Sequence, residues 1–280
     1  MSTDLVSQTA ERPTPEYSHW DYLRHEAFPT FWCAGCGDGI ILAALTKALA
    51  ERGRAPHEVV AVTGIGCFGK ADDYLTTHSL HGTHGRALAF ATGVKAAKPE
   101  LTVVALMGDG DCATIGGNHL IHACRRDIGV LALVSNNLNY GMTGGQFSAT
   151  TPSGSRTVTS PLGHTEAAFD LCALAEAAGA GFVARATAAH PVLLQRLIHK
   201  ALGRPGFAFI EVMSTCPTHF GRANQLGDAA KMLMALRDQY RGGKGLGVLV
   251  DKDTQGFSAR YRAVQAAAAA NPAKRAGEGR

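Results

Sequence analysis

The sequence has 280 residues, 46% of them hydrophobic and 18% charged, which is typical of a globular protein with one large domain or two small ones. Its formal net charge of +4 is too small to indicate a nucleic acid partner. The longest apolar runs are only as long as strands, far below the roughly 18 residues of a membrane helix, so we expect no membrane partner.

The predicted elements begin after a polar N-terminal arm, residues 1–28, which contains two prolines. The arm lacks the charged-then-apolar pattern of a signal peptide, so we expect a cytoplasmic protein. Residues 36–53 have the periodicity of a helix, with Asp38 as the expected cap at its start. Residues 58–67 predict a strand that ends in a glycine-rich corner, and residues 84–99 predict a helix that a proline ends.

Strands and helices alternate through the rest of the chain. Strands are predicted over 103–108, 130–136, 181–187 and 207–216, and helices over 115–127, 164–180, 191–206 and 228–240. This alternation predicts an α/β fold, a parallel sheet with helices on both faces, over residues 29–250, followed by a C-terminal tail, residues 251–280. Such sheets bind ligands at the carboxyl ends of their strands.

Two glycine-rich corners match nucleotide-binding patterns only in part. Residues 64–69 fit G-x-G-x-x-G and, with Lys70, fit G-x-x-x-x-G-K, but an alanine replaces the Ser or Thr that would hold Mg²⁺. The segment after this corner is not an apolar helix, so no helix N-terminus faces a phosphate there. Residues 108–113 fit G-x-G-x-x-A, but the next strand ends in two asparagines, not in an acid that would hold a ribose. A nucleotide site is therefore the weaker alternative.

Asp109 and Asn137 follow two predicted strands that one short helix joins, so we expect them side by side at one edge of the sheet. Carboxylate, amide and carbonyl oxygens are ligands suited to Mg²⁺. Residues 108–137 resemble the thiamine-diphosphate signature, in which GDG is followed by a helix, a strand and NN. The resemblance implies that Asp109 and Asn137 bind Mg²⁺ through their side chains and Asn139 through its carbonyl. Ordinary turns remain the alternative, since Gly, Asp and Asn are turn formers.

Four of the seven cysteines are expected near this edge. Cys33 and Cys36 form the only C-x-x-C pair, while Cys67 and Cys216 each end a predicted strand. Four thiolates at the edge would suit a [4Fe–4S] cluster or a structural zinc ion, and the spacing alone does not separate these. Buried thiols without a ligand are the simpler alternative for the two strand-end cysteines.

Five motifs resemble, in order, the β subunit of 2-oxoacid:ferredoxin oxidoreductases: FWCAGCGDGI, GIGC, HGRALAFATGVKAAKP, GDGDCATIGGNH and NNLNYGMTGGQFSATTPSG. They lie between residues 30 and 155, and Cys216 extends the match over most of the chain. The resemblance implies the thiamine-diphosphate-binding (diphosphate-domain) fold and a [4Fe–4S] cluster held by Cys33, Cys36, Cys67 and Cys216. Residues 81–87 read HGTHGRA where family members often carry HTLHGRA, which weakens any role assigned to that corner by resemblance.

The resemblance also implies cofactors, partners and site residues. The cofactors are thiamine diphosphate, Mg²⁺ and the cluster, and coenzyme A is a co-substrate. The partners are an α subunit that supplies the activating glutamate, in a heterotetramer of two αβ pairs, and a ferredoxin. Cofactor contacts are expected at Gly66, Cys67, Gly108, Gly110, Asp111, Cys112, Gly141, Met142 and Thr143. Substrate contacts are expected at Lys70, His84 and Arg86, for which loop or helix-start roles remain open.

The predicted function is CoA- and thiamine-dependent oxidative decarboxylation of 2-oxoglutarate to succinyl-CoA, or the reverse carboxylation, with electrons passed through the cluster to ferredoxin. A separate β subunit without its own ferredoxin domain resembles the branch of the family that includes 2-oxoglutarate enzymes. One alternative is a pyruvate or broad 2-oxoacid substrate. Others are a non-redox thiamine decarboxylase or synthase, which leaves the cysteines unused, and a non-enzymatic iron–sulfur carrier, which leaves GDG and NN unused.

Overall fold

The computed structural model describes residues 16–270, so expectations for the ends of the arm and the tail lie outside the described residues. One seven-stranded sheet is formed by β1 (Val59–Thr63), β2 (His78–His81), β3 (Thr102–Gly108), β4 (Val130–Asn136), β5 (Phe182–Thr187), β6 (Ala208–Met213) and β7 (Gly247–Asp251). The α-helices in this range are α1 (Asp38–Glu51), α2 (Ala87–Ala97), α3 (Gly117–Arg126), α4 (Leu171–Ala177), α5 (Pro191–Ala201), α6 (Ala229–Gln239) and α7 (Gly256–Ala270).

The strand order is β2-β1-β3-β4-β6-β5-β7, and every pair is parallel except β5 with β7. Helices connect successive parallel strands, as in βαβ units. The predicted α/β fold with a parallel sheet is therefore confirmed. The strands β1, β3, β4 and β6 all end at the same edge of the sheet, which places the corners that follow them next to one another.

The core lies in two layers, one on each face of the sheet. Alternate residues of β1 divide between them: Val59 and Ala61 face one layer, and Val60 and Val62 face the other. Helices α1 and α5 cover the first layer, and helices α2, α3 and α4 cover the second. A sheet that is buried on both faces needs apolar side chains at consecutive positions, which is why the strands read as continuous apolar runs.

Several local expectations need correction. Asp38 does not cap α1 but is its first residue, fully buried, and accepts a hydrogen bond from Ser135 Oγ at 2.6 Å. The arm adds to the core, since Tyr22 is fully buried against α1. The helix predicted over 164–180 begins only at Leu171. The Asp170 carboxylate accepts a hydrogen bond from the Ala173 amide and so caps the helix there.

Three elements, β2, β7 and α7, have no counterpart among the predicted ones. The strand β2 is exposed along its whole length, and β7 has one neighbour and buries only Val250. Helix α7 is exposed over most of its length. The strand β2 and the helix α7 lack the apolar pattern that the sequence prediction depends on, and the apolar run of β7, residues 248–250, is short. Between residues 16 and 270, every helix is too short or too polar to span a lipid bilayer.

Candidate functional site

A cleft opens at the carboxyl edge of the sheet, where β1, β3 and β4 end. It is lined by residues from three corners: Ile65, Gly66, Cys67 and Phe68 after β1, with His84; Gly108, Asp109 and Gly110 at the end of β3; and Ser135, Asn137, Asn139, Tyr140, Gly141, Met142 and Thr143 around the end of β4. The topology therefore brings the GDG corner, the NN corner and one cysteine of the predicted cluster to a single cleft.

Asp109 is buried at the base of this cleft. One carboxylate oxygen, Oδ2, accepts hydrogen bonds from Ser148 Oγ and from Thr150 Oγ1, the latter at 2.6 Å. The other oxygen, Oδ1, is buried and has no hydrogen-bond partner among the described residues. Burial raises the pKa of Asp109 to about 6, and the two hydroxyl donors oppose that rise. A buried carboxylate with one free oxygen fits a cation ligand.

The NN corner supplies further oxygen donors. Asn137 Oδ1 accepts a hydrogen bond from the Asn139 amide at 3.3 Å, and Asn139 Oδ1 is buried without a partner among the described residues. Leu138 between them has φ of 68°, in the left-handed region, so the backbone turns sharply here. Together with Asp109, these residues form an oxygen-rich donor set that fits Mg²⁺.

Buried groups behind the cleft hold the NN corner in place. In the strand β6, Glu211 is 2% exposed; its Oε2 accepts a hydrogen bond from Arg185 Nε at 2.6 Å and its Oε1 accepts one from Asn136 Nδ2 at 2.8 Å. Asn136 Oδ1 in turn accepts the Leu138 amide at 3.2 Å. A buried ion pair therefore orients Asn136, and Asn136 fixes the strained turn beside Asn137.

This ion pair also explains why three side chains of the kinds that bind metal ions lie close together. Ligand atoms of Asp170, Cys172 and Glu211 lie within 4.8 Å of one another. The Arg185 guanidinium donates to both carboxylates, at 2.6 Å in each case, so it already provides the positive charge that a metal would. The group is an internal ion pair and not a metal site.

Thr150 connects the two corners. Its Oγ1 lies 2.6 Å from Asp109 Oδ2 and 3.1 Å from Asn136 Oδ1. A hydroxyl has one proton to donate, and the shorter distance to a carboxylate assigns it to Asp109. Sequence reasoning missed Ser148, Thr150 and Glu211 because each acts across 14 to 75 residues of sequence. The only signal for the first two was their place in the run FSATT.

Asp111 stands behind the cleft instead of lining it. Its Oδ1 accepts hydrogen bonds from the Gly85 amide at 2.6 Å and the Ile65 amide at 3.3 Å. A Cβ at Gly64 would lie 2.1 Å from Asp111 Oδ2, so glycine at that position gives room to this carboxylate. The G-x-G pattern after β1 is thus explained without a nucleotide, Gly64 by this packing and Gly66 by its φ of 129°.

His84 lines the cleft and is held there by Asp111. Its Nδ1 lies 2.5 Å from Asp111 Oδ1, and because a carboxylate only accepts, Nδ1 must carry the proton. Nε2 is then the imidazole nitrogen free to act on a ligand. The ring also packs edge-on against Tyr140, with 5.8 Å between centroids. These contacts fix the imidazole in one orientation at the cleft.

Other predicted site residues do not reach the cleft with their side chains. Lys70 forms an ion pair with Asp73 at 2.8 Å, and Arg86 donates to the His84 carbonyl at 2.9 Å. The Cys112 side chain is 1% exposed and packs in the core, because the π-helix over Gly110–Ile115 turns it inward. By contrast, Gly66, Cys67, Gly141, Met142 and Thr143 all line the cleft.

The four cysteines expected to act together lie around the carboxyl edge, with Cys33 exposed and the other three half-buried. Burial raises the pKa of Cys67 to about 12, and Asp38, Cys216 and Cys33 add to the rise as nearby negative charges. Asn139 Nδ2 lies 3.8 Å from Cys216 Sγ. One cysteine pair and two strand ends therefore supply thiols to one neighbourhood.

The spacing of these thiols favours a cluster over zinc. No three of the four sulfurs, all within the described range, lie within 4.8 Å of one another. Tetrahedral zinc with bonds of about 2.3 Å needs sulfurs about 3.8 Å apart. A cubane bonds each thiolate to a different iron and so tolerates sulfurs that lie further apart, so these four thiols are compatible with a [4Fe–4S] cluster.

Comparisons with known proteins agree with this geometry. Residues 64–212 match the family described as "Thiamine pyrophosphate enzyme, C-terminal TPP binding domain". The chain is 52% identical to the 2-oxoglutarate synthase subunit KorB of Archaeoglobus fulgidus over 221 residues, which cover 79% of this chain and 80% of that protein. It is 50% identical to the subunit of the same name from Methanocaldococcus jannaschii over 217 residues, which cover 78% and 80%.

A solved structure is similar over almost the whole chain. It is the 2-oxoglutarate:ferredoxin oxidoreductase from Magnetococcus marinus with 2-oxoglutarate, coenzyme A and succinyl-CoA bound. The match has a TM-score of 0.80 and 30% sequence identity, and it covers 92% of this chain and 92% of that chain. The similarity therefore includes both the sheet and the corners that form the cleft.

Proposed function

The chain belongs to the family of thiamine-diphosphate-binding β subunits of 2-oxoacid:ferredoxin oxidoreductases, of the 2-oxoglutarate type, and from this premise we propose its reaction and its site. The reaction is the conversion of 2-oxoglutarate and coenzyme A to succinyl-CoA, CO₂, two electrons and a proton, or its reverse. Electrons leave one at a time through a [4Fe–4S] cluster to ferredoxin. We place this reaction in the cytoplasm.

One observation carries the proposal: a single cleft is lined by Asp109, Asn137 and Cys67. The first two belong to the oxygen-rich donor set for Mg²⁺ and diphosphate, and the third is one of the four thiols. A decarboxylase or synthase without redox chemistry has no use for thiols at this place, and an iron–sulfur carrier has no use for a buried carboxylate with a free oxygen. Only a reaction that couples thiamine chemistry to electron transfer uses both the oxygen donors and the thiols in one cleft.

Each residue has a defined role in this proposal. Asp109 and Asn137 hold Mg²⁺ through their side-chain oxygens and Asn139 through its carbonyl, while Gly66, Gly108, Gly110, Gly141, Met142 and Thr143 surround the diphosphate. Cys33, Cys36, Cys67 and Cys216 hold the cluster. When bound, thiamine diphosphate would supply the electron sink for loss of CO₂, and the cluster would supply single-electron transfer.

A second chain completes the site. The cleft encloses about 80 Å³, which is well below the roughly 300 Å³ at which small-molecule pockets begin. We propose that an α subunit covers it, contributes the glutamate that activates thiamine, and forms a heterotetramer of two αβ pairs with this chain. Among the predicted substrate contacts, His84 is the one that reaches the cleft, so the cation for the second carboxylate of 2-oxoglutarate comes from the partner.

The complex of both subunits, purified without oxygen, tests this proposal. We expect bound thiamine, iron with acid-labile sulfide, absorbance near 400 nm, and CoA-dependent oxidation of 2-oxoglutarate in preference to pyruvate. A preference for pyruvate would overturn the substrate assignment, and decarboxylation without iron would support a non-redox thiamine enzyme. Iron without thiamine would support an electron carrier.

A further inference from the structure

A second cavity lies at the opposite, amino edge of the sheet. It measures about 420 Å³ and forms where β3 and β4 begin and where α1 and α5 end. The strand β3 has seven residues, so the two edges are roughly 20 Å apart. No residue lines both this cavity and the catalytic cleft. The cavity therefore needs an explanation of its own.

The walls of this cavity are strongly basic. Five cationic residues line it: Arg52, Arg54, Lys95, Arg204 and Arg262. Glu100 is the one carboxylate among the lining residues, and it pairs with Lys98 at 3.8 Å. Asp251 lies 2.6 Å from Arg204 and neutralises it. Within residues 16–270, Arg52, Arg54 and Arg262 have no carboxylate at ion-pair distance, so three guanidinium groups lack a counter-ion.

The cations also act on one another. Lys95 donates to the carbonyls of Pro99 and Leu101, at 2.8 and 2.6 Å, so its ammonium group is fixed inside the cavity. Burial lowers the pKa of Lys95, and the positive charges of Arg54 and Arg262 lower it further. Like charges gathered in one concave space repel one another unless an anion lies between them.

Helix dipoles do not neutralise this charge. Basic side chains are favourable near helix C-termini, and α1, α2 and α5 all end beside the cavity. Each C-terminus contributes roughly half a negative charge, so three contribute about 1.5 charges at most. Arg52, Arg54, Lys95 and Arg262 contribute four positive charges, and an excess of more than two remains.

We propose that this cavity binds a small phosphate-bearing anion with at least two negative charges. Guanidinium groups match phosphate oxygens in pairs, and the volume lies within the usual range for small-molecule pockets. Ser258 also lines the cavity, and its Oγ is buried without a partner among the described residues. An acidic peptide would suit a flat surface better than this concave one.

Calorimetric titration of the αβ complex with inorganic tripolyphosphate tests the proposal. The complex is first loaded with thiamine diphosphate, so that the catalytic cleft is occupied, and free Mg²⁺ is removed because the probe would chelate it. We expect saturable binding that Arg52→Gln/Arg54→Gln weakens at least about tenfold, since two charge-assisted contacts are lost. Both side chains are exposed, so the fold should persist, which an unchanged thermal melting curve would verify.

The matched control is Arg125→Gln/Arg196→Gln, which removes the same charge from exposed positions outside the cavity. Binding that is unchanged in this control supports a specific site. Equal weakening in both double variants, or no saturable binding at physiological salt, would overturn the proposal. Tighter binding of a polyglutamate peptide than of tripolyphosphate would also overturn it, because the ligand would then be a protein segment.

Discussion

At the residue scale, the site depends on a buried carboxylate whose two oxygens have different tasks. Hydroxyl donors hold one oxygen of Asp109, and the other oxygen is buried without a partner among the described residues. An unpaired buried carboxylate oxygen costs free energy unless a cation or a donor compensates it. In the function proposed above, Mg²⁺ would compensate this oxygen.

Replacing Asp109 by alanine removes the one charged ligand of the proposed Mg²⁺ site. Losing a buried charge-to-charge contact costs more than about 3 kcal/mol of binding free energy, so the Mg²⁺-dependent affinity for thiamine diphosphate should fall by at least about 100-fold. Asn137→Ala removes a neutral ligand and should cost less. Titration of the complex with thiamine diphosphate, followed by tryptophan fluorescence, measures both. Asp73→Ala, at an exposed carboxylate outside the cleft, is the control. Wild-type affinity in Asp109→Ala would remove the metal assignment.

The ion pair behind the NN corner is the second residue-scale feature to test. Glu211→Ala removes the carboxylate that accepts from the partly buried Arg185 guanidinium and from Asn136 Nδ2. The free energy of unfolding should therefore drop by about 3 kcal/mol. Chemical denaturation of the full chain measures this loss. Glu176→Ala, on the exposed side of α4, should change it by less than about 0.5 kcal/mol. Equal small losses in both variants would show that the pair does not stabilise the corner.

The site residues that the sequence predicts differ from those that it misses in how far along the chain their contact partners lie. Asp109, Asn137, Cys67 and Cys216 each follow a strand end, so the parallel topology alone places them at one edge. The contacts of Glu211 and Thr150 depend on how distant segments pack, which no spacing reveals. Cys112 was placed in the site because it neighbours the GDG corner in sequence, but the π-helix turns its side chain into the core.

At the element scale, the central strands were predictable and the edge strands were not. The strands β3 and β4 have neighbours on both sides and layers of helices on both faces, so their sequences are largely apolar. At the edges, β2 and β7 have one neighbour each and expose most of their side chains. Specific contacts hold them instead of hydrophobicity. For β7 the contact is an ion-pair group at its last residue, Asp251, with Lys200 and Arg204, both at 2.6 Å.

This ion-pair group makes the stability of β7 depend on pH. The hydrogen bond from Lys200 and the charge of Arg204 lower the pKa of Asp251 below its unfolded value. Its contribution is therefore present above the unfolded pKa, near 4, and is lost as pH falls through the lower folded value. Because the groups are partly exposed, Asp251→Asn should cost at most about 1 kcal/mol at pH 7. Denaturation at several pH values measures it. A difference from wild type that persists at pH 2 would contradict this origin.

At the scale of the whole molecule, the proposed function makes the chain one side of an active site. The cleft is small, and the oxygen donors, His84 and Cys67 all face it from one sheet edge. Functional residues from a second chain could not be located from this sequence, because nothing in one chain encodes where its partner lies. The relatives are named as subunits, which indicates that such a partner exists.

The isolated chain should not oxidise 2-oxoglutarate, because in the proposed function the activating glutamate belongs to the partner. Activity assays with thiamine diphosphate, coenzyme A and an artificial electron acceptor should show turnover only after the α subunit is added. The order of addition serves as the control, since the same β preparation must become active. Full turnover by the isolated chain would mean that this chain contains a complete site.

The central claim is that one chain unites thiamine chemistry with a single [4Fe–4S] cluster. Low-temperature EPR of the anaerobic αβ complex, recorded after 2-oxoglutarate and coenzyme A are added, tests it most directly. We expect one reduced S = 1/2 centre per β chain in the wild type, and its loss or conversion in Cys216→Ser. Consumption of 2-oxoglutarate without any such signal, or an unchanged signal in Cys216→Ser, would contradict the account.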